Sequence, residues 1–414
     1  MARLLESFRV LDLTDPKGFF CGKIMADLGA DVIKVEKPGG DPARRKGPFY
    51  KNIPDPEKNL HWFAYNLNKR SITLDIETGE GKALFKRLVQ ISHFVIESYP
   101  AGYLDEIGLG YIALSEMNPR IILTSITPFG HTGPYRDYKG PDIVCMAMGG
   151  LPFITGNAVG SPVRISFPQS YLLASAEAAA ATLIAHYYRE TSGQGQHVDV
   201  SIQASVAGKL ANAIPTWELN HTVLKREGSY MFGRGAKLRM RLLWPCKDGY
   251  VTFALMGGKL GAKSNEVVAR WIIEEGMAPD FFKKIDWPSL DMARQTQEEQ
   301  ERLEDVVARF FTKYTKEELY CRANREGVLL CPQSSCRDIL ENTQLQSRDF
   351  WVNVEHPELE TSIAYPGPFL KASSTPPVVR RRAPLIGEHN DEVYRYELGL
   401  SEEEMGTMHL AGVI

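Results

Sequence analysis

Short apolar runs alternate with amphipathic ones through the first third of the chain. Phe8 to Leu13 (FRVLDL) reads as a strand, followed by the turn-like TDPKG. FFCGKIMADLGA predicts a helix ending near Gly29, and Asp31 to Val35 a second strand. Strand, helix and strand at this spacing predict a parallel crossover. SITLDI, HFVIES and RIILTSI read as further strands, with a helix over Gly81 to Ile91. The Gly/Pro-rich stretch from Pro128 to Pro141 breaks the alternation.

The alanine-rich run from Leu172 to Tyr188 predicts a helix on propensity. Ser170 is its expected N-cap, which puts position 171 in the first turn. HVDVSIQ follows as a strand. The basic, glycine-broken LKREGSYMFGRGAKLRMR marks a shift in composition, and a second α/β region starts at Leu242 (LLWPCKDGYVTFAL). The MGGKLG at residues 256–261 is expected to be a loop after the strand VTFAL. The charged helix predicted over Gln297 to Tyr314 reads as a solvated face. Beyond Gly367 the chain is Pro-rich and then helical, with SEEE at a helix start.

Composition narrows the class. At 414 residues the chain has room for two domains. Its 43% hydrophobic and 24% charged content is that of a globular protein. A net charge of -3 argues against nucleic acid as a partner, since a basic domain would be expected for that. No apolar run reaches the ~18 residues a membrane span needs, and MARLLESFRV lacks a signal-peptide core, so no membrane partner and a cytoplasmic location are expected. The six cysteines are scattered without a CxxC pair and are expected to be reduced and buried. No HExxH and no Cys/His cluster is present, so no metal site is expected. GxGxxG after the first strand, GxxxxGK[ST] and GxSxG are also absent.

Several separated blocks carry a specific resemblance. RVLDLT, MADLGADVIKVEKPGGDPARRKGP, NLNKRSITLDIETGEGK, FVIESYPAGYLDEIGLGY, NPRIILTSITPFGHTGPY, TSGQGQHVDVSIQ and RRAPLIGEHNDEVYRYELGL occur in that order. Together they resemble the class III CoA-transferases, the CaiB/BaiF family. The resemblance implies an α/β fold: a large Rossmann-like domain from both chain ends, a smaller middle α/β domain, and an interlocked ring-like dimer. On this sequence that means a large domain opening with residues 1–222, a small domain with linkers over 223–340, and residues 341–414 completing the large domain.

Members of that family carry a nucleophilic aspartate about 25 residues before the Gln of a T-G-x-G-Q turn. Here that Gln is Gln196, and counting back reaches Tyr171. The family's carboxylate attacks an acyl-CoA thioester to form a mixed anhydride; the CoA thiolate then attacks the anhydride and leaves an aspartyl-CoA thioester. A phenol with a pKa of ~10 cannot do this at neutral pH. Ser175 shares a helix face with position 171 but lacks an adjacent base, and Glu177 lies well around the helix. No catalytic residue is therefore assigned. The racemase branch of the family uses a histidine in G-H-D, but Gly140, Pro141 and Asp142 stand here.

Positions that resemble the family's CoA contacts are Asp15, Pro16, Lys17, Lys37, Leu74, Ser98, Tyr99 and Lys139. CoA or acyl-CoA is the implied substrate, with no covalently bound cofactor. Two departures matter. Glu77 replaces a lysine of the family's D-L-K-T-P-E-G, and Glu106 replaces a basic residue. Acids where phosphates should sit predict weak or absent CoA binding. The favoured reading is a non-catalytic subunit of a heteromeric CoA-transferase, with a homologous aspartate-bearing chain as partner. Its implied substrates are an acyl-CoA such as succinyl-CoA and a carboxylic acid such as (R)-benzylsuccinate. A homomeric acyl-CoA enzyme with another nucleophile and a non-enzymatic CoA-binding or scaffold protein are the alternatives.

Overall fold

The computed structural model describes residues 3–232, 238–291 and 294–414. The chain divides into two compact units. The first comprises residues 1–152, 164–223 and 343–414, the second 153–163 and 224–342. The segment 153–163, expected in the large region, thus groups with the middle of the chain.

The first unit is built on β1 (Arg9–Leu13), α1 (Phe19–Asp27), β2 (Asp31–Glu36), α2 (Leu60–Tyr65), β3 (Arg70–Thr73), α3 (Gly79–Gln90) and β4 (Phe94–Glu97). It continues through α4 (Tyr103–Glu106), α5 (Tyr111–Met117), β5 (Ile122–Thr127), α6 (Asp142–Met148), α7 (Gln169–Ser192), β6 (His197–Ser201), α8 (Ile202–Gly208) and α9 (Ala213–Asn220). The six strands form one parallel sheet in the order β3-β2-β1-β4-β5-β6. Every residue of β3, β4 and β5 is buried, as expected when helices cover both faces of a parallel sheet. Neighbouring residues serve opposite faces. Val10, Val32 and Ile96 pack with Met25, Ala174 and Ala178 of α1 and α7. Leu11, Ile33 and Val95 pack with Leu84 and Phe85 of α3, Leu114 of α5, and Val393 and Tyr394.

Helix α1 lies close against β1. A Cβ at Gly22 would come within 2.2 Å of Asp12 Oδ2, so only glycine admits this approach. Below it, Asp12 is fully buried between two ammoniums: Lys69 Nζ at 2.8 Å and Lys34 Nζ at 3.7 Å. Burial alone would push the Asp12 carboxyl up, but Lys69 and Lys34 hold it below the ordinary value. Arg44, also fully buried, grips Glu36 through Nε at 2.7 Å and Nη2 at 2.8 Å and lies 3.6 Å from the Trp62 ring centre.

The second unit contains β7 (Tyr230–Phe232), β8 (Arg239–Arg241), β9 (Leu243–Cys246), β10 (Gly249–Phe253), α10 (Gly258–Glu274) and α11 (Asp280–Lys283). α12 (Gln297–Phe311), α13 (Lys316–Glu326), β11 (Leu330–Pro332) and α14 (Cys336–Leu340) follow. Its core gathers Trp244, Trp271, Phe310 and Phe311 around the antiparallel order β11-β10-β9. One expectation is corrected here. The glycines of MGGKLG are not simply a loop, because α10 already starts at Gly258 with Gly257 as N-cap. The charged α12 does present a solvated face, with Glu298, Glu301, Arg302, Asp305 and Arg309 exposed, while Leu303, Val306, Val307, Phe310 and Phe311 line a buried one. The cysteines also divide. All are free, but Cys321, Cys331 and Cys336 are exposed rather than buried.

The chain then returns to the first unit with α15 (Thr343–Ser347), the hairpin β12 (Trp351–His356) and β13 (Thr361–Pro366), a π-helical stretch Asp391–Glu397, and α16 (Glu402–Leu410). SEEE does start a helix, with a capping box between Ser401 and Glu404. This segment is tied to β3 and its exit. Tyr394 Oη donates to Thr73 O at 2.7 Å, and Asp75 N donates to Val413 O at 2.7 Å.

Candidate active site

The strand order reverses between β1 and β4, and an open parallel sheet binds ligands at the carboxyl ends of its strands at such a point. A crevice of about 440 Å³ lies there. It is lined by the exits of β1, β2 and β4, and it brings together Asp15, Pro16, Lys17, Lys37, Ser98 and Tyr99 of the expected contacts. Lys34, Lys46, Glu36 and Asp41 complete its charged lining. A cavity of about 520 Å³ in the second unit is larger, but it is floored by Phe281, Leu290 and Leu303 and contains none of the expected residues. The switch-point crevice is therefore the candidate site.

Asp15 braces the crevice. Its N–H donates to Ser98 Oγ at 2.8 Å, its Oδ1 accepts from the Ser98 hydroxyl at 2.8 Å and from Lys17 N at 2.9 Å, and its carboxylate pairs with the Lys17 ammonium. The β1 and β4 exits are thereby clamped together. The two remaining expected contacts lie elsewhere. Leu74 is 1% exposed and belongs to the core under α3, where its side chain fills space between sheet and helix. Lys139 is exposed on the loop before α6 and does not line the crevice.

Glu77 does more than sit in solvent. Its Oε2 is 2.7 Å from Lys37 Nζ, and its Oε1 accepts from the Tyr103 hydroxyl. Lys37 and Tyr103 together hold the Glu77 carboxyl below its ordinary value. The ammonium that could meet a phosphate thus already has a counter-ion within the chain. Glu106 is exposed on α4 and has no ion-pair partner among the described residues.

Tyr171 stands in the first turn of α7, as expected, but Ser170 does not cap that helix. Pro168 is the N-cap, and Ser170 lies inside, fully buried. Its N–H and hydroxyl both donate to Asp142 Oδ1, at 3.0 and 2.7 Å, so Asp142 fixes the helix start from α6. Tyr171 is half-buried against the α1/α7 side of the sheet. Burial, with Cys145 and Asp15 nearby, pushes its phenol well above the ordinary value, while a backbone hydrogen bond from Asp142 opposes this. The ring is neutral at pH 7.

No neighbour takes over. The Ser175 hydroxyl is buried and donates to Lys17 O at 2.9 Å, so it holds α7 to the β1 exit. Burial alone would raise the Glu177 carboxyl, but Lys209 and Ser205 keep it below the ordinary value. Cys145, which sequence reasoning did not single out, also lies beside Tyr171. Its thiol donates to Gly140 O at 3.3 Å, and burial together with Asp142 pushes it up to about 12, so it too is protonated. Its nearness to position 171 depends on α6 packing on α7, which no local pattern announces.

Residues 5–390 match CoA-transferase family III. The chain is 37% identical to succinyl-CoA:(R)-benzylsuccinate CoA-transferase subunit BbsE of Thauera aromatica, over 95% of this chain and 94% of that one. It is 33% identical to succinyl-CoA--D-citramalate CoA-transferase of Chloroflexus aurantiacus, over 100% and 98%. Among solved structures, a CaiB/BaiF family protein from Brucella suis superposes with a TM-score of 0.81 at 27% identity, covering 96% of this chain and 100% of that one. The sheet, the crevice and these similarities lead to one statement of kinship: the chain belongs to CoA-transferase family III.

Proposed function

We propose that this chain is the non-catalytic subunit of a heteromeric CoA-transferase, and that a homologous chain with aspartate at the equivalent of Tyr171 performs the chemistry. One observation carries the reading: a neutral phenol occupies the first turn of α7, and every nearby carboxyl, hydroxyl and thiol is committed or protonated. The partner's carboxylate would attack the acyl-CoA carbonyl and expel CoA thiolate, forming a mixed anhydride. The thiolate would then attack the partner's own acyl carbon, releasing the donor acid and leaving an aspartyl-CoA thioester for the acceptor acid. The similarity to BbsE, itself named as a subunit, supports succinyl-CoA as donor and (R)-benzylsuccinate as acceptor class. The assembly would be the interlocked arrangement of the family, with residues of both chains around each acyl site.

Co-expression tests this directly. An aspartate-bearing family chain is expected to co-purify with this one in equal amount. A stable, fully active homomeric preparation of this chain would overturn the proposal and favour a homomeric enzyme with another nucleophile. Tight CoA binding with neither partner nor turnover would favour a scaffold.

The Lys37–Glu77 pair makes a second expectation. E77K removes the counter-ion and adds a cation at the crevice mouth. It is expected to tighten CoA binding by roughly fivefold, the equivalent of about 1 kcal/mol for an exposed ionic contact. Calorimetry of wild type and E77K with CoA checks this; equal affinities would remove Glu77 from the account of weak binding.

A further inference from the structure

At the opposite end of the sheet from the crevice, where β1, β2 and β3 begin, lies a strongly polar cavity of about 250 Å³. Arg3, Arg70, Arg380 and Arg381 line it, together with the carboxylates of Glu6, Asp31, Glu392 and Glu397. Equal numbers of cations and acids suggest a closed ionic network, but the pairing is uneven.

Arg70 takes most of the acids. It reaches Asp31 at 2.6 Å, Glu397 at 2.7 Å and Glu392 at 3.1 Å. Arg9, just outside the lining, shares Asp31 and Glu397 at 2.9 Å each. Arg3 has Glu6 at 3.6 Å. Neither Arg380 nor Arg381 has a carboxylate within ion-pair distance among the described residues.

Arg380 donates through Nη2 to Ala26 O at 3.0 Å and to Ala30 O at 3.4 Å, which caps the end of α1. That role leaves its Nε buried without a hydrogen-bond partner. The Arg381 guanidinium has one hydrogen-bond partner among the described residues, His389 Nε2 at 3.3 Å, and the side chain is exposed. Burial, Arg3 and Arg381 disfavour the charge on Arg380 and outweigh the support it draws from Asp31 and Asp27. Two guanidiniums, Arg380 and Arg381, therefore stand here without an ion-pair partner of their own among the described residues, and the buried Arg380 Nε lacks an acceptor; a small oxyanion would satisfy both.

We infer that the cavity between Arg3, Arg380 and Arg381 is an anion site, taking a ligand with a carboxylate or phosphate group. The half-exposed Glu392 at its rim is engaged by Arg70, and it would oppose a highly charged ligand more than a singly charged group. This site is separate from the switch-point crevice and does not depend on the subunit reading.

Titration calorimetry of the full chain at constant ionic strength tests it, with inorganic phosphate in one arm and succinate in the other. Saturable binding of at least one is expected, weakened at least roughly fivefold in both R380Q and R381Q. Saturation by phosphate alone identifies a phosphoryl ligand, and by succinate alone a carboxylate ligand. R381Q alters an exposed side chain and keeps the test valid should R380Q disturb the end of α1. Equal binding by wild type and R381Q, or no saturable binding of either anion, would overturn the assignment.

Discussion

Purified alone and supplied with succinyl-CoA and a carboxylic acid acceptor, the chain is expected to transfer CoA on the order of 10³-fold or more slowly than when paired with an aspartate-bearing partner. The size of the gap follows from the loss of the covalent route rather than from weakened binding. Tyr171 is neutral, Cys145 is protonated, Ser175 is hydrogen-bonded to backbone, and Glu177 is paired with Lys209. The α7 start itself is intact, since Asp142 holds Ser170 by two hydrogen bonds. Y171D should therefore place a carboxylate in a formed first turn, where free amides favour negative charge. Mass spectrometry after mixing with succinyl-CoA reads the outcome. Wild type is expected to stay unmodified, and Y171D, combined with E77K to admit CoA, is expected to accumulate a CoA thioester on residue 171. A wild-type adduct on Tyr171, Ser175 or Glu177 would end the non-catalytic reading.

The second large effect concerns stability. D12A is expected to cost about 3–5 kcal/mol, because it strands Lys69 and Lys34 as buried ammoniums. Lys69 also donates to Phe19 O at 2.9 Å and Asn66 Oδ1 at 2.8 Å, so it cannot turn to solvent without losing both. D12A/K69M removes one stranded charge with its partner and should recover part of the loss. Urea unfolding followed by circular dichroism measures both variants. A D12A midpoint matching wild type would mean that the cluster is not what sets the β1–α1 packing. Asp12 is held below its ordinary value, so its contribution is present above about pH 4, the unfolded aspartate range. It is lost as pH falls through the lower folded value.

The parallel sheet was legible because strands covered on both faces leave apolar-rich runs, as FVI opens β4 and IIL leads into β5. The start of α7 was less so. Propensity favoured Ser170 as a cap, but its hydroxyl is engaged by Asp142, whose position depends on α6 packing. The charges of α12 announced its solvated face; the buried face recurs at helical spacing between those charges. At the site, the resemblance located Asp15, Lys17, Lys37, Ser98 and Tyr99, which the crevice unites. Leu74 and Lys139 fall outside the cavity: Leu74, just past β3, is drawn into the core under α3, and Lys139 is carried away on the exposed loop before α6. Glu77 was visible as an acid; its pairing with Lys37 was not, because the partners come from different strand exits.

The discontinuity of the first unit bears on synthesis. A ribosome makes β3 and then the whole second unit before it reaches the residues that cover the β3 side. Until then Arg70 lacks Glu392 and Glu397, and Thr73 O lacks the Tyr394 hydroxyl. The nascent chain therefore carries an uncovered parallel sheet edge, with a buried-type arginine on it, while more than a hundred further residues are added. Translation speed across residues 224–342 sets how long that edge stays open to wrong pairing.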